Sequence, residues 1–164
     1  MLQVGVIYGA NASGKSNLVR AIQFAQNMIL GRTTLKAFVQ NRFRFVKKHK
    51  PASFEFRFLA HGRVFVYGFT ITQEAILEEW LDATSESGRE INVFTRNTQD
   101  IDIGRLRSFG AERTTLQRAL RALKQLGVRD DQLLLNKIVE LPDQHRGDLL
   151  SRVVWWFAQC LTVV

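Results

Sequence analysis

A chain of 164 residues, 46% hydrophobic and 23% charged, is long enough for one domain with a real core and has the composition of a globular protein. No apolar run reaches the ~20 residues that a membrane-crossing helix needs, the longest, around Val153 to Val164, being broken by Gln159, and the single cysteine, Cys160, rules out an internal disulfide. The net charge of +8 is unevenly placed, since residues 1–50 hold nine Lys or Arg and no Asp or Glu, whereas residues 51–164 hold fourteen basic and fifteen acidic. Such a local excess suits a polyphosphate or a nucleic-acid backbone, or else a face whose acidic partners lie elsewhere.

In chain order, Leu2 to Tyr8 is a mostly apolar run and reads as a buried strand. Directly after it, Gly9 to Ser16 fits G-x-x-x-x-G-K-[ST], with Gly9, Gly14, Lys15 and Ser16 in the four defined places. That chemistry needs those residue types. Gly9 lets the chain leave the strand in a tight turn, and Gly14 lets backbone N–H groups approach a phosphate without a Cβ in the way. Lys15 is placed to reach the β- and γ-phosphates, and the Ser16 hydroxyl to complete the coordination of magnesium. A helix over about Gly14 to Leu30 follows, with Leu18, Ile22, Ala25 and Ile29 on one apolar face and Gly31 as its stop. Strand before and helix after is the context that gives the motif its meaning as a nucleotide-binding loop.

The segment 32–50 has no clear period. It holds Arg32, Lys36, Arg42, Arg44, Lys47, Lys48 and Lys50 interleaved with Phe38, Phe43 and Phe45, which fits a nucleic-acid contact surface or a connection anchored to the core by its rings. From Ser53 the period becomes two: SFEFRF, a His61-Gly62 turn and RVFVYGFTI predict a hairpin. Ala75 to Ala83 suits either a strand or an amphipathic helix. Ser85 to Arg89 is a polar turn, and Ile91 to Thr95 a further short strand. Helical spacing returns with Leu116, Leu120, Leu123 and Leu126, stopped by Gly127. A second helix runs through Leu133, Leu134 and Ile138, capped by Asp130 or Asp131 and ended by Pro142, and a third runs from Asp143 to about Thr162. His49, His61 and His145 lack metal-site spacing and read as surface or turn residues. Cys160, among apolar neighbours, is expected to be a buried structural thiol. Trp155 and Trp156 are adjacent and cannot both face one core, so one is expected to meet another surface.

The wording of the loop, GANASGKSN, with Asn11 inside it and Asn17 after the serine, resembles the P-loops of the ABC-type ATPase heads of SMC and RecF proteins. Among those it is most similar to bacterial AAA-family ATPases of the abortive-infection and OLD kind. SFEFRF, VFVYGFTI, ILEEWL and VFTRN resemble the antiparallel strands that follow the P-loop helix in that family, which favours a strand over Ala75 to Ala83, and VVWWFAQCLTVV resembles a later helix. The resemblance implies an ATP-dependent enzyme that dimerises around its nucleotides and serves in defence against phage. It implies ATP and Mg2+ as cofactors, with Gly9, Asn11, Ser13, Gly14, Lys15, Ser16 and Asn17 around the nucleotide and Ser16 on the magnesium. The expected fold is therefore α/β, the N-terminal portion of a P-loop NTPase of ABC-head type. It would form a single partial domain over 1–164: strand, P-loop and helix over 1–31, an antiparallel meander over 51–96 and a helical part over 113–162.

Such an enzyme also needs an apolar strand ending in a carboxylate to hold hydrated magnesium and orient water; no such strand is legible after the first helix, and SESGRE lacks the surroundings of an ABC signature. Asn136 and Lys137 begin a guanine-selective Asn-Lys-x-Asp, but Val139 stands in the Asp position, which disfavours a GTPase. The expectation is an ATP-binding piece of a longer ATPase, with hydrolysis in the complete protein. Alternatives are a RecF- or SMC-like DNA-processing ATPase whose segment 32–50 contacts nucleic acid, and a small P-loop metabolite kinase. A nucleotide, a second copy and no membrane are the expected partners. The apolar start runs straight into the loop without the pattern of a secretory leader, so a cytoplasmic location is the default.

Overall fold

The computed structural model describes residues 8, 10, 14–40, 50–85, 87–141 and 148–162. Five strands, β1 (Ala52–Ala60), β2 (Arg63–Ile71), β3 (Ile76–Thr84), β4 (Glu90–Asn97) and β5 (Asp100–Ile103), form one antiparallel sheet in chain order. The β1–β2 hairpin closes where expected. His61 (φ 49°) and Gly62 (φ 75°) both take the positive φ of a two-residue turn with primed geometry, and Ala60 pairs with Arg63. The ambiguous stretch after Ala75 is the strand β3, paired with β2 from Phe65↔Ala83 to Ile71↔Ile76. β4 extends beyond the expected Ile91–Thr95, and the short β5, pairing Arg96 with Ile101, was not expected at all.

Alternation puts Phe54, Phe56 and Phe58 of β1 opposite Phe69, Tyr67 and Phe65 of β2. These six rings make the floor of the core, with Phe54–Phe69 and Phe58–Phe65 stacked at centroid distances of 5.1 and 5.6 Å. On the other face Trp80 lies over Gly68, the position where a Cβ would come within 2.1 Å of the indole. On β1 that face carries Ser53, Glu55, Arg57 and Leu59, all exposed.

The helices are α1 (Lys15–Ile29), α2 (Leu35–Gln40), α3 (Glu112–Leu126), α4 (Leu134–Glu140) and α5 (Asp148–Trp155), with a 3-10 turn over Leu106–Phe109 and a π-helical turn over Trp156–Cys160. α1 ends as its glycine predicts. Gly31 (φ 69°) donates to the Met28 carbonyl and Arg32 to that of Asn27, which satisfies the last turn. Its apolar face is shifted, however: Ala25, Met28 and Ile29 are buried but Leu18 is 47% exposed, because only the C-terminal half of the helix reaches the core. α3 buries Leu116, Ala119, Leu120 and Leu123, and Gly127 (φ 69°) terminates it.

Three expectations about the C-terminal third need correction. Asp130 and Asp131 do not cap α4, whose N-cap is Leu133; the cap comes from a different element. Regular helix in α5 stops at Trp155, and the start expected at Asp143 lies outside the described residues. Cys160 is exposed, and Phe157 is the residue of the same π turn that goes inward. Phe157 meets Phe56, Phe58 and Tyr67 edge-on at 5.2, 5.4 and 5.8 Å, the arrangement that aromatic quadrupoles favour. Trp156 stacks on Phe58 at 4.2 Å, leaving Trp155 47% exposed beside His61. Gln26 of α1 donates to the carbonyls of both Phe157 and Leu161 at 2.7 Å, so the first helix satisfies groups at the end of the last.

Candidate phosphate-binding site

α1 opens immediately after Gly14, whose φ of 92° and ψ of 0° suit glycine and strain a residue with a Cβ. Among the described residues, chain neighbours apart, no atom lies within 4 Å of where that Cβ would stand. The Gly14 carbonyl accepts from the N–H groups of Asn17 and Leu18, each at 3.0 Å. Helical bonding thus begins at Gly14, and the N–H groups ahead of Asn17 have no acceptor within the helix. No acidic residue stands in the first turn, so nothing there offsets the positive end of the helix dipole. Lys15 turns back along the chain, its Nζ donating to the Ala10 carbonyl at 2.6 Å. Ser16 and Asn17 are exposed beside it.

The structure therefore brings Gly14, Lys15, Ser16 and Asn17 together at one helix start. Gly9, Asn11 and Ser13 lie outside the described residues, as do residues 1–7 of the expected first strand and 41–49 of the basic segment. Tyr8, expected as the last residue of that buried strand, is 89% exposed and outside any ladder; at the entry to the loop its phenol keeps its contact with water. The set fits a polyphosphate: backbone donors, one ammonium, one hydroxyl suited to a hard cation, and no carboxylate to repel the anion.

Asn136 helps to exclude the guanine-reading alternative. A Cβ on Gly31 would stand 2.2 Å from its amide nitrogen, so Asn136 sits at the C-terminal end of α1, about 22 Å of helix away from Lys15. Among the described residues no cluster of three or more His, Cys, Asp or Glu could hold a metal ion, and no helix is long and apolar enough to cross a membrane.

A second polar group, missed from sequence, is wholly buried. Glu79 on β3 accepts from the N–H groups of Leu134 (2.6 Å) and Leu135 (3.1 Å), and from the Tyr67 hydroxyl (3.0 Å). Arg96, opposite it on β4, lies 3.6 Å away and donates to the carbonyls of Thr98, Gln132 and Arg129 at 2.6, 2.6 and 2.9 Å. Burial raises the Glu79 carboxyl above its ordinary range against the opposing pull of those N–H groups and Arg96. Burial first, and then the Glu79 charge, push the Tyr67 phenol well above its own. A perturbed buried acid is often catalytic, but all the partners of this one are structural: it caps α4 and, with Arg96, holds residues 129–135 to the sheet. The only sequence signal was a charge on an inward-facing position of β3 and another directly across on β4.

One family model, described as AAA domain, putative AbiEii toxin, Type IV TA system, matches residues 5–135. No curated protein and no solved structure matches the chain. The matched span runs from before the loop through α1, the whole sheet and α3 to the start of α4, and the family is one of nucleotide-binding ATPases that in general use ATP and Mg2+. With four fifths of its length inside that match and a polyphosphate-compatible helix start at the expected place, the chain belongs to this AAA-domain family.

Proposed function

We propose that the chain binds ATP with magnesium through Gly9 to Ser16 as a Walker A loop, and works as part of an ABC-type ATPase head that hydrolyses ATP in defence against phage. The observation that supports the reading is the opening of α1 at the left-handed Gly14, with the Lys15 ammonium turned back to the Ala10 carbonyl and Ser16 exposed beside it. Lys15 exchanges the Ala10 carbonyl for phosphate oxygens. The Ser16 hydroxyl and the nucleotide hold the magnesium ion, which neutralises charge on the phosphates. Asn11, Ser13 and Asn17 line the loop around the nucleotide. The role in defence rests on the abortive-infection character of the family description, and a second copy of the chain closes over the nucleotide. Location in the cytoplasm follows from an ATP-dependent role inside the infected cell.

The test is a thermal melt of the purified chain with and without MgATP, repeated with Lys15→Ala. ATP at about 100 times its dissociation constant adds about 2.7 kcal/mol, which in a domain of this size raises Tm by about 5–11 °C. Lys15→Ala abolishes the shift. An equal shift in the variant, or none in the native chain at millimolar MgATP, overturns the reading.

A further inference from the structure

The exposed face of α3 and the turn leading into it carry a cationic array that nucleotide binding does not use. Residues 104–129 contain seven Lys or Arg and one acidic residue, Glu112. Glu112 neutralises none of the seven, because its carboxylate is engaged by Arg152 at 2.9 Å and Arg63 at 3.4 Å, both from other elements. Lys124 is occupied by the Ile101 carbonyl (2.6 Å) and Asp100 (3.8 Å), and Arg129 by Asp131 (3.0 Å). Arg105, Arg107, Arg113, Arg118 and Arg121 remain. All five are exposed, and no guanidinium among them has an ion-pair or hydrogen-bond partner among the described residues. Helix periodicity sets Arg118 and Arg121 opposite the buried Leu116–Ala119–Leu120–Leu123 stripe, and Arg113 to Arg121 spans about 12 Å along the axis.

The residues between the arginines decide the partner. Ser108, Thr114, Thr115 and Gln117 supply neutral donors of the kind that bond phosphate oxygens. The apolar stripe of α3 is consumed in the core, which removes the flank that an interfacial membrane helix inserts. The only aromatic ring of the segment, Phe109, is fully buried, so nothing there can stack on unpaired bases. We propose that this face binds the phosphate backbone of duplex nucleic acid without reading its sequence. The assignment is separate from the ATP reading and from segment 32–50.

The test uses the full chain, the Lys15→Ala chain and labelled mixed-sequence DNA and RNA duplexes, followed by fluorescence anisotropy. With five phosphate contacts, affinity falls about 500-fold between roughly 50 and 200 mM salt; Arg113→Gln/Arg118→Gln/Arg121→Gln leaves two contacts and a fall of about 12-fold. The substituted side chains are exposed, so Tm stays unchanged, and each single Gln substitution lowers the log–log slope by about 0.9, which keeps the test valid should the triple variant not fold. Lys15→Ala binds duplex like the native chain, even if neither binds ATP. Binding of either duplex with these slopes supports the assignment. Absence of duplex binding at the lowest salt, an unchanged slope in the arginine variants, or displacement of duplex by polyglutamate or phosphatidylglycerol vesicles at equal charge overturns it.

Discussion

Glu79→Ala removes both oxygens of a carboxylate with no solvent exposure and leaves four partners behind: the N–H groups of Leu134 and Leu135, the Tyr67 hydroxyl and the Arg96 charge. Arg96 keeps its three carbonyl acceptors, so its hydrogen bonds survive, but its charge is uncompensated inside the core. Breaking a buried pair in this way costs about 3–5 kcal/mol, or a Tm lower by about 6–20 °C for a domain of this size. Glu79→Gln keeps one acceptor and loses the charge, and costs about 1.5–3 kcal/mol. Urea unfolding followed by tryptophan fluorescence measures both. The pH dependence supplies an independent arm. Burial raises the folded-state value of Glu79, so between the unfolded value, near ~4.3, and that raised value the native state holds a proton that the unfolded chain has lost. The share of stability from this group is therefore complete at low pH and declines as pH rises through the window; native minus Glu79→Gln stability falls in the same direction. A loss below about 1 kcal/mol in the Ala variant, the scale of an exposed pair, or a pH slope of opposite sign, refutes the assignment of Glu79 as the buried cap of α4.

Three other outcomes are expected. Gly68→Ala drives a Cβ to within 2.1 Å of the Trp80 ring; the indole lifts from the sheet, tryptophan emission shifts to the red and stability falls by about 1–3 kcal/mol, whereas unchanged emission would place Trp80 elsewhere. Gln26→Ala strips donors from the Phe157 and Leu161 carbonyls and costs about 1–2 kcal/mol, with faster amide exchange confined to the C-terminal turn; equal acceleration throughout the sheet would contradict the local role. Cys160 is exposed, so a disulfide reagent modifies it in the native chain at nearly the rate seen in denaturant, and protection by folding would reverse that placement.

What sequence could disclose followed from how local the determining physics is. The His61-Gly62 turn, the alternating β1 and β2, and the stops at Gly31 and Gly127 depend on the backbone preferences of a few adjacent residues, and each appears where its pattern put it. GKS at the opening of α1 is equally local. The failures are all long-range. Asp130 and Asp131 have the right chemistry but stand ahead of the N-cap at Leu133, and Glu79, 55 residues before Leu134, takes the site because the sheet delivers it there. β5 has only four residues, two of them aspartates, and exists by pairing with β4. Helical spacing puts Leu18 on an apolar face and apolar neighbours suggest a buried Cys160, but burial depends on which part of a helix the sheet can reach.

α1 is built as a cantilever. Its clamped half contributes Ala25, Met28 and Ile29 to the core, the Gln26 tie to the last turn and the Gly31 contact with Asn136; its tip, Gly14 to Leu18, is largely exposed and carries the proposed phosphate site. Such a beam separates two kinds of selection. Change at the tip tunes or abolishes ligand binding while the domain still folds, and change at the root unfolds the domain before ligand binding can be tested. A catalogue of tolerated substitutions along α1, scored once for solubility and once for nucleotide binding, should therefore divide near its midpoint, around Ile22.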